Sequence, residues 1–495
     1  MIKVIIGPPG TGKTTRLLRI VDEAIKNGTR PDKIGFISFT KKAVNEARDR
    51  AVDIFKLEKE DLVYYRTIHS LAFRQLSMNS KSVMQWRNYK EIGELLGVRI
   101  TGNVKADKML YELQKGDQMV FIESLARLMQ VPLKQLWENS KSDIDWFELD
   151  QYERTLIKYK KVHCLVDFTD MLTKYKHEGF VPDLDILLVD EAQDLCRLQW
   201  DIVERLISKS KNVYIAGDDD QAIFRWSGAD VDYFIDFKSD TVEVLDQSYR
   251  LPKQILSASD NLIKTVKKRR VKQYRPTEKE GCLDFVQSIE DENMDTGEWL
   301  VLVRNSYMMR DISDYLRYCG YRFETPYENP GESDQLKAAF AWERLRKGGT
   351  INTPELKLIC DSMSKNNFKN KYKVKHVENM QLNMSELREL FSVTTDDIWH
   401  KSLDNIHPDD REYYIALLRR GEKLHGPSRI KVNTIHGAKG GECENVLLYT
   451  DVSSKTYSNI VENNDDETRV FYVGMTRTLN KLSIVQPQSR NYFSI

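Results

Sequence analysis

The chain has 495 residues, 41% of them hydrophobic, with 75 Lys and Arg balanced by 75 Asp and Glu. That length exceeds one ordinary hydrophobic core, so two or more domains are expected, and the balanced charge excludes a basic surface spread over the whole chain: any nucleic-acid site must be a local patch. The 6 cysteines are scattered without a close pair, which argues against a zinc knuckle or a disulfide framework. No window approaches about eighteen consecutive apolar residues and the first residues read as a strand, so a soluble, cytoplasmic protein with no membrane partner is expected.

The apolar run Val4-Ile5-Ile6 leads into Gly7-Pro8-Pro9-Gly10-Thr11-Gly12-Lys13-Thr14-Thr15, and a helical pattern follows. Strand, glycine loop and helix in that order make a phosphate cradle. Gly10, Thr11 and Gly12 let backbone N–H groups approach phosphate oxygens, the helix N-terminus adds partial positive charge, Lys13 neutralises the outer phosphates, and Thr14 offers a hydroxyl to Mg²⁺. A nucleoside triphosphate and Mg²⁺ are therefore the expected cofactors. Further apolar runs at Ile34 to Phe39, Ile186 to Val189, Val213 to Ala216, Leu300 to Val303 and Val446 to Tyr449 read as buried parallel strands in an α/β layered architecture. Between about 77 and 180 the periodicity turns helical, as in Met119-Val120-Phe121-Ile122-Glu123, and predicts an inserted module. A second insert is expected from about 326 to 425, entered through Pro326 and Pro330.

Leu187-Leu188-Val189-Asp190-Glu191 places two acids at a strand end, where the ligand crevice of a parallel sheet lies. Asp190 is predicted to hold Mg²⁺ through its shell, and Glu191 to orient and deprotonate the attacking water. Cations are needed against charge developing on the γ-phosphate, and Arg250 and Arg477 are the candidates. The run Lys267-Lys268-Arg269-Arg270-Val271-Lys272 reads as a solvated helix end, with phosphate contacts as the alternative.

In addition, Ile37-Ser38-Phe39-Thr40-Lys41-Lys42-Ala43, Thr67-Ile68-His69-Ser70, Ala216-Gly217-Asp218-Asp219-Asp220-Gln221-Ala222-Ile223-Phe224, Ser248-Tyr249-Arg250, Val432-Asn433-Thr434-Ile435-His436-Gly437-Ala438-Lys439-Gly440-Gly441-Glu442 and Phe471-Tyr472-Val473-Gly474-Met475-Thr476-Arg477-Thr478 follow one another along the chain. In that order they closely resemble the motifs of superfamily 1 DNA helicases of the UvrD/Rep/PcrA group. The resemblance implies two RecA-like parallel-sheet P-loop motor domains, each with a mainly helical insertion. The first would span 1–76 and 181–244 with its insertion at 77–180; the second would span 245–325 and 426–495 with a short insertion at 326–425. ATP would lie in the cleft between them and single-stranded DNA across both.

By the same resemblance Gln221 senses the γ-phosphate, Arg250 and Arg477 reach it from the second domain, Tyr249 stacks on the base, and Glu442 binds the ribose. Phe39, Phe224 and Trp226 match positions that stack on successive bases, a grip that needs no sequence preference. Thr40, His69 and His436 resemble positions near the DNA backbone. The family's upstream glutamine segment is absent, since only six residues precede Gly7; Gly441, Cys443 and Ser227 also depart from the usual residues. The implied function is an ATP-dependent DNA helicase or single-strand translocase moving 3′ to 5′. Its partners would be single-stranded DNA and single/double-strand junctions, with room for a protein loading partner. The alternatives are a nucleotide-gated DNA-binding or sensor subunit of a repair, recombination or defence complex, and an RNA helicase.

Overall fold

The computed structural model describes residues 1–39, 41–101, 113–140, 142–422 and 427–495. Thr40 lies outside the described residues. Six strands, β1 (Ile2–Ile6), β2 (Ile34–Ser38), β3 (Tyr64–Thr67), β4 (Leu184–Asp190), β5 (Ser210–Gly217) and β6 (Thr241–Val244), form one sheet in the order β3-β2-β4-β5-β1-β6. All its pairings are parallel. Side chains alternate across β1: Val4 and Ile6 join the core on one face and Ile5 the core on the other. Burial on both faces is why the central strands read as unbroken apolar runs. The edge strand β6, Thr-Val-Glu-Val, is largely exposed and carries no such signal.

A second sheet is built the same way from β7 (Cys282–Val286), β8 (Trp299–Val303) and β9 (Phe323–Glu324), followed, after the short antiparallel pair β10 (Ile351–Asn352) and β11 (Gln381–Leu382), by β12 (Ile430–Thr434), β13 (Cys443–Tyr449) and β14 (Thr478–Val485). Its order is β7-β14-β13-β8-β12-β9, again with parallel pairing throughout. Two parallel α/β sheets with helices, the expected RecA-like pair, are thus present.

The helical stretches attach to these sheets differently. Helices Trp86–Leu96, Lys115–Met129, Leu133–Asn139 and Trp146–His163 bury Ile92, Met119, Ile122, Leu149 and Tyr152 in a cluster of their own. Leu336, Trp342, Leu356 and Leu417 instead share one continuous cluster with Trp299, Val301 and Val432 of the second sheet.

The basic run departs from its expected form. Lys267–Lys272 follow the helix Lys253–Ile263 as irregular chain in which Lys267, Lys268 and Val271 are exposed, Arg269 and Arg270 half-buried and Lys272 buried. Lys272 is buried with its ammonium 2.6 Å from Asp218, 2.6 Å from Asp219 and 3.0 Å from Asp220. Arg269 donates to both oxygens of Asp220 at 2.8 and 2.6 Å. The reason is long-range: three carboxylates buried at the end of β5 need cations, and this run supplies them.

Candidate functional site

β1 runs straight into the glycine loop, whose first residue is tied to the neighbouring strand by the Gly7 N–H donating to the Gly217 carbonyl at 3.0 Å. Gly10 and Gly12 adopt φ of +72° and +78°, the left-handed region that glycine enters without a Cβ penalty. A Cβ on Gly7 would lie 1.9 Å from Lys13 Cγ, and one on Gly10 2.3 Å from Arg250 Cβ, so the loop has no room for larger residues. The helix Lys13–Lys26 starts at Gly12 with no side-chain cap, which leaves its first N–H groups facing the cleft. Lys13 Nζ donates to the Gly7 carbonyl at 3.1 Å and lies 3.6 Å from Glu191 Oε1.

β4 delivers the two acids at its C-terminal end. Asp190 accepts from the Thr14 hydroxyl at 3.0 Å and from the Glu191 N–H at 2.9 Å. Burial, and then the neighbouring Glu191, push its carboxyl up to about 6. Glu191 sits at φ +53°, uncommon for a side chain with a Cβ, which turns the chain sharply off the strand. Burial works against the Glu191 charge, but Lys13, Lys439 and the Gln193 amide outweigh it and hold the carboxyl below its usual value. Gln193 donates to Glu191 Oε2 at 2.6 Å and accepts from the Asp218 N–H at 3.0 Å, bracing β4 against β5.

The second sheet closes the cleft from the segments that precede β7, β13 and β14. Ser248 Oγ donates to the Pro9 carbonyl at 2.8 Å and the Tyr249 N–H to the Gly10 carbonyl at 2.8 Å. The Tyr249 ring is three-quarters exposed at the mouth. Arg250 Nε donates to Glu442 Oε2 at 2.7 Å. Arg477 is buried and donates to Gln221 Oε1 at 3.1 Å and to the Gly441 carbonyl at 3.1 Å. Burial, then Arg250, lower its guanidinium to about 9, so it stays charged at neutral pH. These groups, with Gly10 through Thr15, line a cleft of about 860 Å³.

The arrangement fits Mg²⁺ and a nucleoside triphosphate. The loop closes too tightly at Gly7 and Gly10 for a Cβ, and Thr14 with Asp190 makes a hard oxygen pair. Among the described residues no group of three or more His, Cys, Asp or Glu is placed to hold a metal alone, so phosphate oxygens would complete such a shell.

A second set of side chains stacks at one side of the cleft, which Phe39, Phe224 and His436 also line. Phe39 lies against Phe224 with ring centroids 5.8 Å apart at 29°, both half-buried. Trp226 lies nearly parallel to Phe121 of the first helical stretch, 6.0 Å away at 15°. His436 is buried between them, 6.0 Å from Phe224 and 6.2 Å from Trp226. Its Nε2 meets the Ile223 carbonyl at 3.1 Å, so a contact from that nitrogen to a nucleic-acid backbone would require breaking this bond. Burial, then Arg304, hold the imidazole well below its usual pKa, hence neutral. His69 stands apart, edge-on to Phe168 at 6.0 Å, and burial and then Lys41 lower it to about 4.

Sequence reasoning passed over three neighbours. Lys439 Nζ pairs with Asp194, donates to the Gln221 carbonyl at 2.8 Å and lies 4.9 Å from the Phe224 ring centre, touching both sets of residues. Lys439 stands inside a recognised motif and Asp194 three residues beyond the acidic pair, and those positions were the available signal. Phe121 had none, since its partner is 105 residues away in the chain (226 − 121).

Residues 2–242 match the UvrD/REP helicase N-terminal domain family and residues 355–489 the UvrD-like helicase C-terminal domain family. Similar proteins include the ATP-dependent DNA helicase PcrA of Staphylococcus aureus, 27% identical over 54% of this chain and 39% of that protein. PcrA of Bacillus subtilis is 27% identical over 54% and 38%, and the putative ATP-dependent DNA helicase YjcD of that organism is 27% identical over 54% and 37%. The chain matches about two-fifths of the length of these curated relatives. Both family matches, the two parallel sheets and the ordered motifs agree that the chain belongs to the UvrD/Rep/PcrA group of superfamily 1 helicases.

Proposed function

We propose that this chain is an ATP-dependent DNA helicase, working as a single-strand translocase that moves 3′ to 5′. The observation that carries the proposal is the turn Asp218–Trp226. Within nine residues it places Gln221 on Arg477 in the cleft and Phe224 and Trp226 in the aromatic set, and Lys439 contacts both parts. The division into a first motor domain (1–76, 181–244) with insertion 77–180 and a second (245–325, 426–495) with insertion 326–425 belongs to the same proposal. So does an intracellular setting, in keeping with six free cysteines. No described helix is long and apolar enough to cross a membrane.

ATP with Mg²⁺ supplies the transferable γ-phosphoryl group and part of its charge neutralisation. Lys13 would exchange the Gly7 carbonyl for phosphate oxygens, and Thr14 and Asp190 would hold the metal. Glu191, kept ionised by Lys13 and Lys439, accepts the proton of the attacking water. Arg250 gives up Glu442 and joins Arg477 against the developing charge; the released Glu442 carboxylate is then available to the ribose, and Tyr249 covers the base. Each exchange draws the second sheet toward the first, and the Gln221–Trp226 turn carries that shift to Phe39, Phe224 and Trp226, which grip single-stranded DNA by stacking. His436 braces these rings.

Unwinding of paired substrates with a 3′ or a 5′ single-stranded overhang tests activity and direction together. Separation of only the 3′-tailed substrate, abolished by Glu191→Gln with nucleotide binding kept, is expected. Preference for the 5′ tail would overturn the polarity; ATP turnover without unwinding would favour the sensor-subunit reading, and stronger stimulation by RNA than DNA would change the substrate class.

A further inference from the structure

Behind the cleft lies a buried ion cluster that the hydrolysis chemistry above does not use. Asp218, Asp219 and Asp220 close β5 with 0%, 0% and 1% exposure. Three adjacent carboxylates sealed from water are tolerated only with cations and donors at bonding distance. The cations come from chain that packs with the second sheet or follows its first helix. Lys272 Nζ reaches Asp218, Asp219 and Asp220 at 2.6, 2.6 and 3.0 Å. The Arg270 N–H donates to Asp219 at 2.8 Å, and Arg469 Nε donates to the Asp219 carbonyl at 2.9 Å. Lys272 follows the helix Lys253–Ile263, whose Ile255 packs in the core of the second sheet.

Asp218 divides its two oxygens between the cluster and the cleft. Oδ1 accepts from Lys272 Nζ at 2.6 Å, and Oδ2 accepts from Gln221 Nε2 at 2.7 Å. A carboxylate can only accept, so it holds the amide with its NH₂ inward, and Gln221 Oε1 is thereby turned to Arg477 Nη2 at 3.1 Å. With Lys272 removed, Asp218 would be buried beside two like charges; rotating would release the amide, and taking up a proton on Oδ1 would weaken its hold by removing the charge.

We infer that Lys272 is a positioning residue for phosphoryl transfer: by holding Asp218 it sets the orientation of the Gln221 amide, and through that amide the place of the Arg477 guanidinium. The inference rests on the ATPase reading of the cleft. It also makes the contact a link between the two sheets, because Asp218 directly follows β5 of one and Lys272 lies in the chain that leads to β7 of the other.

A simple structural staple would give a different kinetic pattern. The test is a double-mutant cycle of Lys272→Met and Gln221→Ala on DNA-stimulated ATP turnover, read as kcat and KM separately. Lys272→Met should lower kcat about tenfold or more with KM changed less than about twofold. The double variant should be no more than about twofold slower than Gln221→Ala, because both changes cut the same relay. Losses that multiply, or a KM that rises in step, would overturn the inference. If circular dichroism shows Lys272→Met unfolded, the same cycle in Lys272→Met/Asp219→Asn, which removes one carboxylate with the ammonium, decides it; failure of that variant to fold would make Lys272 a staple and end the claim. Wild-type and Glu191→Gln rates in the same assay separate the two readings: no wild-type turnover sinks the ATPase assignment, whereas multiplied losses in the Glu191 background, with turnover that Glu191→Gln abolishes, sink the positioning role alone.

Discussion

The cleft and the aromatic set are built on one turn of chain, yet they are held in opposite ways. In the cleft every charged group is already engaged: Lys13 with Glu191, Arg250 with Glu442, Arg477 with Gln221, Thr14 with Asp190. In the aromatic set Phe39 pairs with Phe224 and Phe121 with Trp226 by ring contact, propped by a neutral histidine and with Lys439 over the Phe224 ring. A charged site must therefore exchange partners to bind, and its geometry changes when it does. Stacked rings need only a rigid backing, since any base offers the same face. Charge exchange suits a switch, and stacking suits a grip that is made and released at every step.

Three substitutions separate the two behaviours. Arg477→Ala should have the largest effect, lowering single-turnover hydrolysis by about 10³-fold or more, the range for a cation that meets transition-state charge. A loss below about tenfold would leave Arg477 as an interior tether. Trp226→Ala should come next, weakening single-strand affinity by roughly tenfold to a hundredfold, as expected for about 1–3 kcal/mol of stacking per base. Strand-stimulated turnover should fall more than the basal rate in that variant; equal falls in both would return Trp226 to the core. Phe121→Ala should be the mildest, weakening strand affinity about threefold, in line with the lower range of aromatic pair energies. Tighter binding in its place would mean that Phe121 competes with the strand for the Trp226 face.

A different lesson comes from the helical stretches. Both read alike in sequence, as Leu- and Lys-rich periodic segments, but one has its own apolar cluster and the other merges with a sheet face. Periodicity shows that a face is apolar; it does not say what covers it.

Much of the site was legible because its chemistry is local. The glycine loop is closed by bonds within a few residues, such as the Thr11 N–H to the Pro8 carbonyl at 3.2 Å, and its residue types follow from what phosphate needs. Asp190 and Glu191 were legible because a parallel strand buried on both faces is a continuous apolar run, and the crevice lies at its end. The interior strands β1, β2, β4 and β5 of the first sheet and the middle pair β8 and β13 of the second were found on the same ground, whereas β12 and β14 beside that pair were not. The edge strands β3, β6 and β7 were missed as well, since part-exposed strands carry polar residues that read as loop, and β9 is only two residues long.

What sequence alone determined is the set of groups whose function is written in neighbouring positions: the phosphate loop, the acidic pair and the buried parallel strands. Tertiary structure decided the pairings across distance: Lys272 with Asp218, 54 residues apart, Lys439 with Asp194, and Phe121 with Trp226. The physical reason is that a charge run or a lone ring carries no mark of its partner. Whether it is solvated or buried depends on the opposite charge or matching face that the fold brings to it, and water is the default until it does.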